Sequence, residues 1–389
     1  MRYASERNGT YLLKGNAMHH TRPWITAGLT LVGASAVALS PVAVVLPETH
    51  GPAARAFEIQ LTAADIVLDL IRHGESTENV TSYLGTTPPG APLTELGEQQ
   101  AITVGEQLYN GGDNDINAIY ASEFLRAQQT AWPLIHLLQG DSDYNEIPGG
   151  PTPLLDPSQI LSGLGEINAG WLEGQSGTIP GLLYLLPTIA WMTGAYWVPM
   201  LGSSVNPNGM AFQDNYSGAI QTIYDNSEAN PDSTGTDVAF SHGAAIMAWT
   251  MMNVRNPDWG LFLETLAGDR GLPNTGQVVV EGNPTDGWTL VSWNGTEVAE
   301  NPGLLTGLFV DVRDLITVPQ MASWHVWEAI LGGDPSEILA ALQTGFSDVF
   351  SALVEFPQAV FDTIVGSLTD VGSAGATDVL GDLLTSLAI

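Results

Sequence analysis

The chain has 389 residues, no cysteine and a formal charge of −32. Without cysteine, neither a disulfide framework nor a thiolate metal site can form. Lys14 is the sole lysine, and beyond Phe57 the basic residues are Arg72, Arg126, Arg255, Arg270 and Arg313. So acidic a surface repels nucleic acid and anionic headgroups, which excludes nucleic-acid binding. With cations this scarce, each arginine either serves a specific task or pairs with one of the abundant acids.

Residues 18–23 form a short basic start, residues 24–39 are apolar and small, and Pro41 and Pro47 break that run. Ala54-Arg55-Ala56 follows as an A-x-A triplet. This order predicts a secretory signal peptide within 1–56, with an uncleaved signal anchor as the competing reading. Residues 1–17 read as an upstream extension, with Met18 as the biological start. Export to the outside or to the cell envelope is the expectation.

Residues 66–71 make an apolar run interrupted at Asp69, and the run stops at Arg72-His73-Gly74-Glu75. This predicts a buried strand that delivers a cation and an imidazole at its end. Residues 237–240 repeat the pattern and end in Ser241-His242-Gly243. In an open α/β sheet ligands bind beyond the carboxyl ends of strands, so one site built from both histidines is expected. Between them, Thr94 and Glu95 suit a helix start and Asn110-Gly111-Gly112 its end, with Ala101, Val104 and Leu108 at helical spacing. A strand is predicted over 116–121. A helix follows it, with Ser122 as its expected cap and Arg126 in its first turns, on the side of His73. A Gly-punctuated loop over 164–174 carries Glu166 and Glu173.

These pieces resemble the histidine phosphatase superfamily in its phosphoglycerate-mutase-like branch. The match rests on Leu70-Ile71-Arg72-His73-Gly74-Glu75-Ser76 with Asn79, and on Leu93-Thr94-x-x-Gly97. It continues through Ser122-x-x-x-Arg126-Ala127 with Gln128, Gln129 and Thr130, Glu166 ahead of Gly170-Trp171-x-Glu173-Gly174, and Ser241-His242-Gly243. It spans about residues 64–295, five pieces in order. It implies an α/β fold: a three-layer, open, mostly parallel sheet with helices on both faces, an inserted helical cap and, here, a C-terminal helical extension. It also implies phosphoryl transfer through a phosphohistidine on His73. Arg72, Arg126, Asn79 and His242 would hold the phosphoryl oxygens, His242 would also assist catalysis, and Glu166 would protonate the leaving group. Glu173 is the alternative proton carrier. No cofactor and no metal are expected, and the sequence shows no spaced His/Asp ligand cluster.

The histidine phosphatase domain is expected over 57–300, with its cap at about 175–236. The stretch from Gly174 to Gln213 carries no charged residue. Its prolines argue against a membrane span. A mutase acting on a carboxylate-bearing phosphate needs extra cations, whereas an uncharged aromatic cap suits a small phosphorylated substrate with an apolar group. The residues could equally pack the cap's own core. Residues 277–281 and 288–293 predict a hairpin. His136 and His325 fall outside the motifs and read as surface or packing residues. Residues 301–389 predict short, acidic, amphipathic helices that start at Asp334-Pro335-Ser336-Glu337, end or kink at Pro357, and resume over 378–389. They would pack on the domain or pair with a partner, and membrane or envelope association through cap or tail is the expected alternative. The tail's style resembles exported proteins of mycobacteria and related actinobacteria. The phosphomutase and a non-catalytic phosphate-binding envelope module stay open beside the phosphatase.

Overall fold

The computed structural model describes residues 64–111, 116–150, 153–230, 235–268 and 271–374. The expected signal segment, Arg270 and the 378–389 helix lie outside the described residues. The fold is α/β. Six strands form one sheet in the order β2-β3-β1-β4-β5-β6. They are β1 (Ile66–Arg72), β2 (Ile116–Ala121), β3 (Thr236–Ser241), β4 (Gln277–Asn283), β5 (Gly287–Trp293) and β6 (Thr296–Glu297). β2, β3 and β1 run parallel, and β4 to β6 continue antiparallel. The sheet is thus mixed rather than mostly parallel. The reason is the hairpin: β4 and β5 are joined by a turn in which Asn283 Oδ1 accepts the Thr285 and Asp286 amides, at 2.9 and 2.7 Å.

Alternation along the strands separates two cores. Leu68 and Leu70 of β1, Tyr120 of β2 and Ala239 of β3 face one core, closed by α5 (Gly209–Glu228) and α6 (Gly243–Asn253). Ile71, Ile119, Ala121, Val238 and Phe240 face the other, closed by α2 (Glu95–Asn110) and α3 (Leu125–Gln139). Thr94 caps α2 through its hydroxyl and Gly111 ends it, as the sequence reads. A single turn, α1 (Thr77–Val80), follows β1. In the segment expected to be a cap, α5 contributes Phe212, Tyr216 and Ile220 to the first core. α4 (Thr178–Met192) turns Tyr184, Thr188 and Trp191 inward and leaves Ile179, Leu182 and Leu186 exposed.

The tail corrects the expectation of short helices. After α7 (Trp259–Gly268) and the hairpin, α8 (Leu304–Gly332) and α9 (Pro335–Ala374) run 29 and 40 residues, with Pro319 and Pro357 inside them. A proline removes one ladder bond, and here the packing of α8 along α9 carries both helices through. Arg313 of α8 is buried and donates to Met251 O and Val254 O at 2.9 and 3.1 Å, closing the carboxyl end of α6. His325, read as a packing residue, reaches Asp214 of α5 instead.

Asp69 sits in β1 with Oδ1 buried and without a hydrogen bond. Burial raises its carboxyl from 3.8 to about 7. A raised acid favours folding in its protonated form, so its contribution is full below 3.8 and is lost as pH rises through 7. Urea unfolding at pH 5 and pH 8 checks this. The wild-type protein loses about 2–3 kcal/mol more over that interval than Asp69→Asn, which cannot ionise. Equal losses in the two proteins would mean that Asp69 is solvated.

Candidate active site

Three parallel strand ends meet at the site. β1 hands over to His73, β3 to His242, and β2 to Ser122. The ladder extends one residue further: His73 N–H donates to Ser241 O and Ser122 N–H to Phe240 O, both at 3.0 Å. The carboxyl end of the strands is where open α/β sheets bind ligands.

The His73 ring is 2% exposed. Its Nδ1 lies 2.7 Å from Gly74 O, and its Nε2 lies 2.9 Å from Arg126 Nε. A carbonyl only accepts and a guanidinium only donates. Nδ1 therefore carries the proton, and Nε2 presents its lone pair to the site. Burial, then the charges of Arg126 and Arg72, hold this imidazole well below its ordinary range, against the pull of Gly74 O. Gly74 itself is pinned where its N–H donates to Thr130 Oγ1 at 2.9 Å.

His242 is fully buried, its ring 5.1 Å from that of His73. Nδ1 lies 3.3 Å from an Arg126 terminal nitrogen and Nε2 2.8 Å from Ser122 Oγ. The same logic puts its proton on Nε2, donated to Ser122. Burial and the Arg126 charge again hold the ring well below its ordinary range. Ser122 is thus not the helix cap that its position implies. Phe124 takes that place without a side-chain bond, and the Ser122 hydroxyl serves His242.

Arg126, the second residue of α3, is 3% exposed. Beyond the two histidines it pairs with Glu78 at 2.8 Å, donates to Gly85 O at 3.2 Å and lies over the Phe124 ring. The loop from Gly85 to Gly90 folds against it. Gly90 has φ +65°, and a Cβ there would stand 2.5 Å from an Arg126 nitrogen, so only glycine fits. Arg72 donates to Leu272 O, and its chain lies against Gly243, where a Cβ would come 3.1 Å from Arg72 Cδ.

Asn79 closes a capping box with Ser76. Its Oδ1 accepts from the Ser76 amide at 3.0 Å and from Asn274 Nδ2 at 3.3 Å, which leaves its own NH2 as the donor end. Asn274 also donates to His73 O at 3.0 Å, tying the loop before β4 to the histidine. Glu166 accepts on Oε1 from Ile167 N–H at 2.9 Å, Tyr184 O–H at 3.2 Å and Ala245 N–H at 3.2 Å. Burial raises its carboxyl; the Ile167 amide and the charges of Arg126 and Arg72 oppose this. Glu173 is committed elsewhere, to the amide and hydroxyl of Thr86. Thr94 spends its hydroxyl on the α2 cap and on Glu75.

The sequence reading misses Glu78, Tyr184 and Asn274, as well as the role of Ser122. Glu78 alone had a local signal, an acid within one helical turn of the His73 loop. Asn274 lies 201 residues from His73 and Tyr184 lies 18 from Glu166; only folding joins them.

Residues 68–296 match the family model described as "Histidine phosphatase superfamily (branch 1)". The chain belongs to the histidine phosphatase superfamily. It is 44% identical over 306 residues to the PE-PGRS family protein PE_PGRS11 of Mycobacterium tuberculosis (strain ATCC 25618 / H37Rv), covering 77% of this chain and 48% of that one. The chain thus spans about half the length of that relative. Among solved structures it is similar to a mycobacterial glucosyl-3-phosphoglycerate phosphatase, at 20% identity and TM-score 0.39, over 59% of this chain and 100% of the other. It is also similar to a phosphoserine phosphatase of Entamoeba histolytica in complex with 3-phosphoglyceric acid, at 26% identity and TM-score 0.38, over 59% and 98% of the two chains.

Long-range proton–nitrogen spectra of histidine-labelled protein test the ring assignments. At pH 7 both rings are expected to be neutral, His73 protonated on Nδ1 and His242 on Nε2. Both stay neutral as pH falls through 6.5, and Ser122→Ala leaves the His242 proton on Nε2, where Arg126 holds it, but strips it of its hydrogen-bond partner. An imidazolium at either position at pH 7 contradicts the assignment.

Proposed function

We propose that the chain is an exported phosphatase that hydrolyses phosphate monoesters through a phosphohistidine on His73. The observation that carries this reading is the fixed His73 ring. Its Nδ1 proton is held by Gly74 O, and its Nε2 lone pair faces Arg126. A neutral, oriented imidazole nitrogen beside buried guanidinium charge is what attack on a phosphoryl group requires.

In the first step Nε2 attacks phosphorus and the bond to the leaving oxygen breaks. Arg126 and Arg72 carry the charge on the phosphoryl oxygens as bidentate donors, with the Asn79 amide beside them. His242 donates to a phosphoryl oxygen in its other tautomer, in which the ring gives up the Nε2 proton as it takes one on Nδ1 and the Ser122 hydroxyl turns to donate to Nε2. Glu166, whose carboxyl is raised, gives its proton to the leaving oxygen. In the second step the Glu166 carboxylate takes a proton from water, water attacks phosphorus, and the P–N bond breaks to release phosphate and neutral His73. Two guanidiniums supply the positive charge, so the reaction needs no metal. The ties of Glu173 to Thr86 favour Glu166 as the proton carrier.

For the rest of the substrate, an uncharged or apolar group fits best. From Gly174 to Gln213 no side chain is charged, and Tyr184 of this stretch reaches Glu166. Arg255 binds Thr289 and Arg313 closes α6, so neither serves a substrate carboxylate as a mutase would need. Envelope association through α9 belongs to the same proposal. Residues Pro335–Ser367 have mean hydropathy 1.3 in their most apolar window, with none of it buried. The cap over 175–236 and the domain limits 57–300 are part of this reading.

The decisive experiment compares acid and alkali quenches of protein turning over a labelled aryl phosphate. Label stable to alkali, lost in acid and absent from His73→Ala is expected. Label that persists in His73→Ala would sink the mechanism, and binding of vanadate without turnover would leave a phosphate-binding module. A second prediction separates Glu166. Glu166→Gln slows an alkyl phosphate, a poor leaving group, by about 10²–10⁴-fold and an aryl phosphate far less. The wild-type kcat/KM profile has an acid limb below 6.5 from the lowered histidines and an alkaline limb above 4.5 from Glu166, and the variant loses the alkaline limb. Equal slowing of both substrates argues against an acid role.

A further inference from the structure

Away from the His73 site, α5 and α8 bring together three side chains of metal-ligating type. Asp214 comes from α5, and His325 and Glu328 from α8. Each offers one donor atom, and these atoms all lie within 4.8 Å of one another. His325 and Glu328 stand three residues apart on one helix, so they leave it on the same face. In the sequence, by contrast, Asp214 lies 111 residues from His325, and no ligand spacing is visible.

The carboxylate of Asp214 is divided. Trp324 Nε1 donates to Oδ2 at 3.0 Å, while Oδ1 lies 3.0 Å from His325 Nε2. An outside donor thus fixes one oxygen and aims the other at the imidazole, as hydrogen bonds behind ligating carboxylates do. The His325 and Asp214 side chains are 43% and 23% exposed, so an ion reaches them from solvent. A further acid, Asp348 of α9, lines with His325 a cavity of about 360 Å³. The chain's formal charge of −32 concentrates cations at such a place.

We propose that Asp214, His325 and Glu328 bind a divalent cation, Zn²⁺ in preference to Mg²⁺ or Ca²⁺, which clamps the tail helix α8 to α5. One imidazole nitrogen with two carboxylates is a borderline donor set that suits Zn²⁺, whereas Mg²⁺ and Ca²⁺ take oxygen ligands throughout. Three protein ligands leave the remaining position to water. The site stands apart from the phosphate chemistry and adds to the hydrogen bond by which Trp324 of α8 already holds Asp214 of α5.

The test uses the full chain, stripped with chelator and titrated with Zn²⁺ by calorimetry, with thermal unfolding followed in parallel. One saturable Zn²⁺ per chain is expected, with a rise in melting temperature. Asp214→Asn, His325→Gln and Glu328→Gln each weaken binding at least tenfold and lose the rise, with circular dichroism unchanged. His73→Ala keeps full binding, which separates this site from the paired histidines. Absence of saturable binding, equal affinity for Mg²⁺, or binding untouched by His325→Gln would overturn the proposal and leave the trio as an ion pair with a neighbouring acid.

Discussion

A buried guanidinium organises this protein. Arg126 is removed from water yet has donors on His73, His242, Glu78 and Gly85. An isolated buried charge costs several kcal/mol, so the surroundings must answer it atom by atom. They do so from two stretches of chain, residues 73–85 and the end of β3 at His242. The result is a cation whose position is overdetermined, and both histidines take their tautomers from it. Burial lowers even its own high pKa, with Glu78 the strongest opposing influence.

The rest of the fold serves that arrangement. Parallel pairing of β2, β3 and β1 sets Ser122, His242 and His73 at one edge. The α2 amino end docks backbone to backbone on the His73 loop: a Cβ on Gly97 would stand 2.0 Å from Glu75 O, and one on Gly74 2.6 Å from Gly97 O. The antiparallel hairpin on the other flank brings in the 272–276 loop. That loop holds the Arg72 backbone through Gly276 O and Thr275 N–H at 2.9 and 3.1 Å. Asp69, one turn of pleat before the site, is the misfit in an otherwise apolar strand.

Much of this was legible because it is local. His73 and His242 each follow a short apolar run, Arg126 follows β2 by a few residues, and Thr94 and Gly111 bracket α2 by ordinary cap chemistry. What was not legible depends on contacts between distant segments. Ser122 reads as a cap because serine before a helix normally is one; here a buried imidazole is the stronger claimant for its hydroxyl. Pro357 reads as the end of a helix or a kink in one; it is not an end, because α9 continues through it along α8. Likewise the mixed direction of the sheet follows from a hairpin that was read correctly but not carried through to strand direction.

The contact between Glu78 and Arg126 sets the terms on which any anion enters. The guanidinium already holds a carboxylate at 2.8 Å, so an arriving anion gains only the difference between two ion pairs. Grip is thereby traded for exchange. In the proposed reaction the resident carboxylate takes the cation back as an anion departs, so the buried charge keeps a partner at every stage.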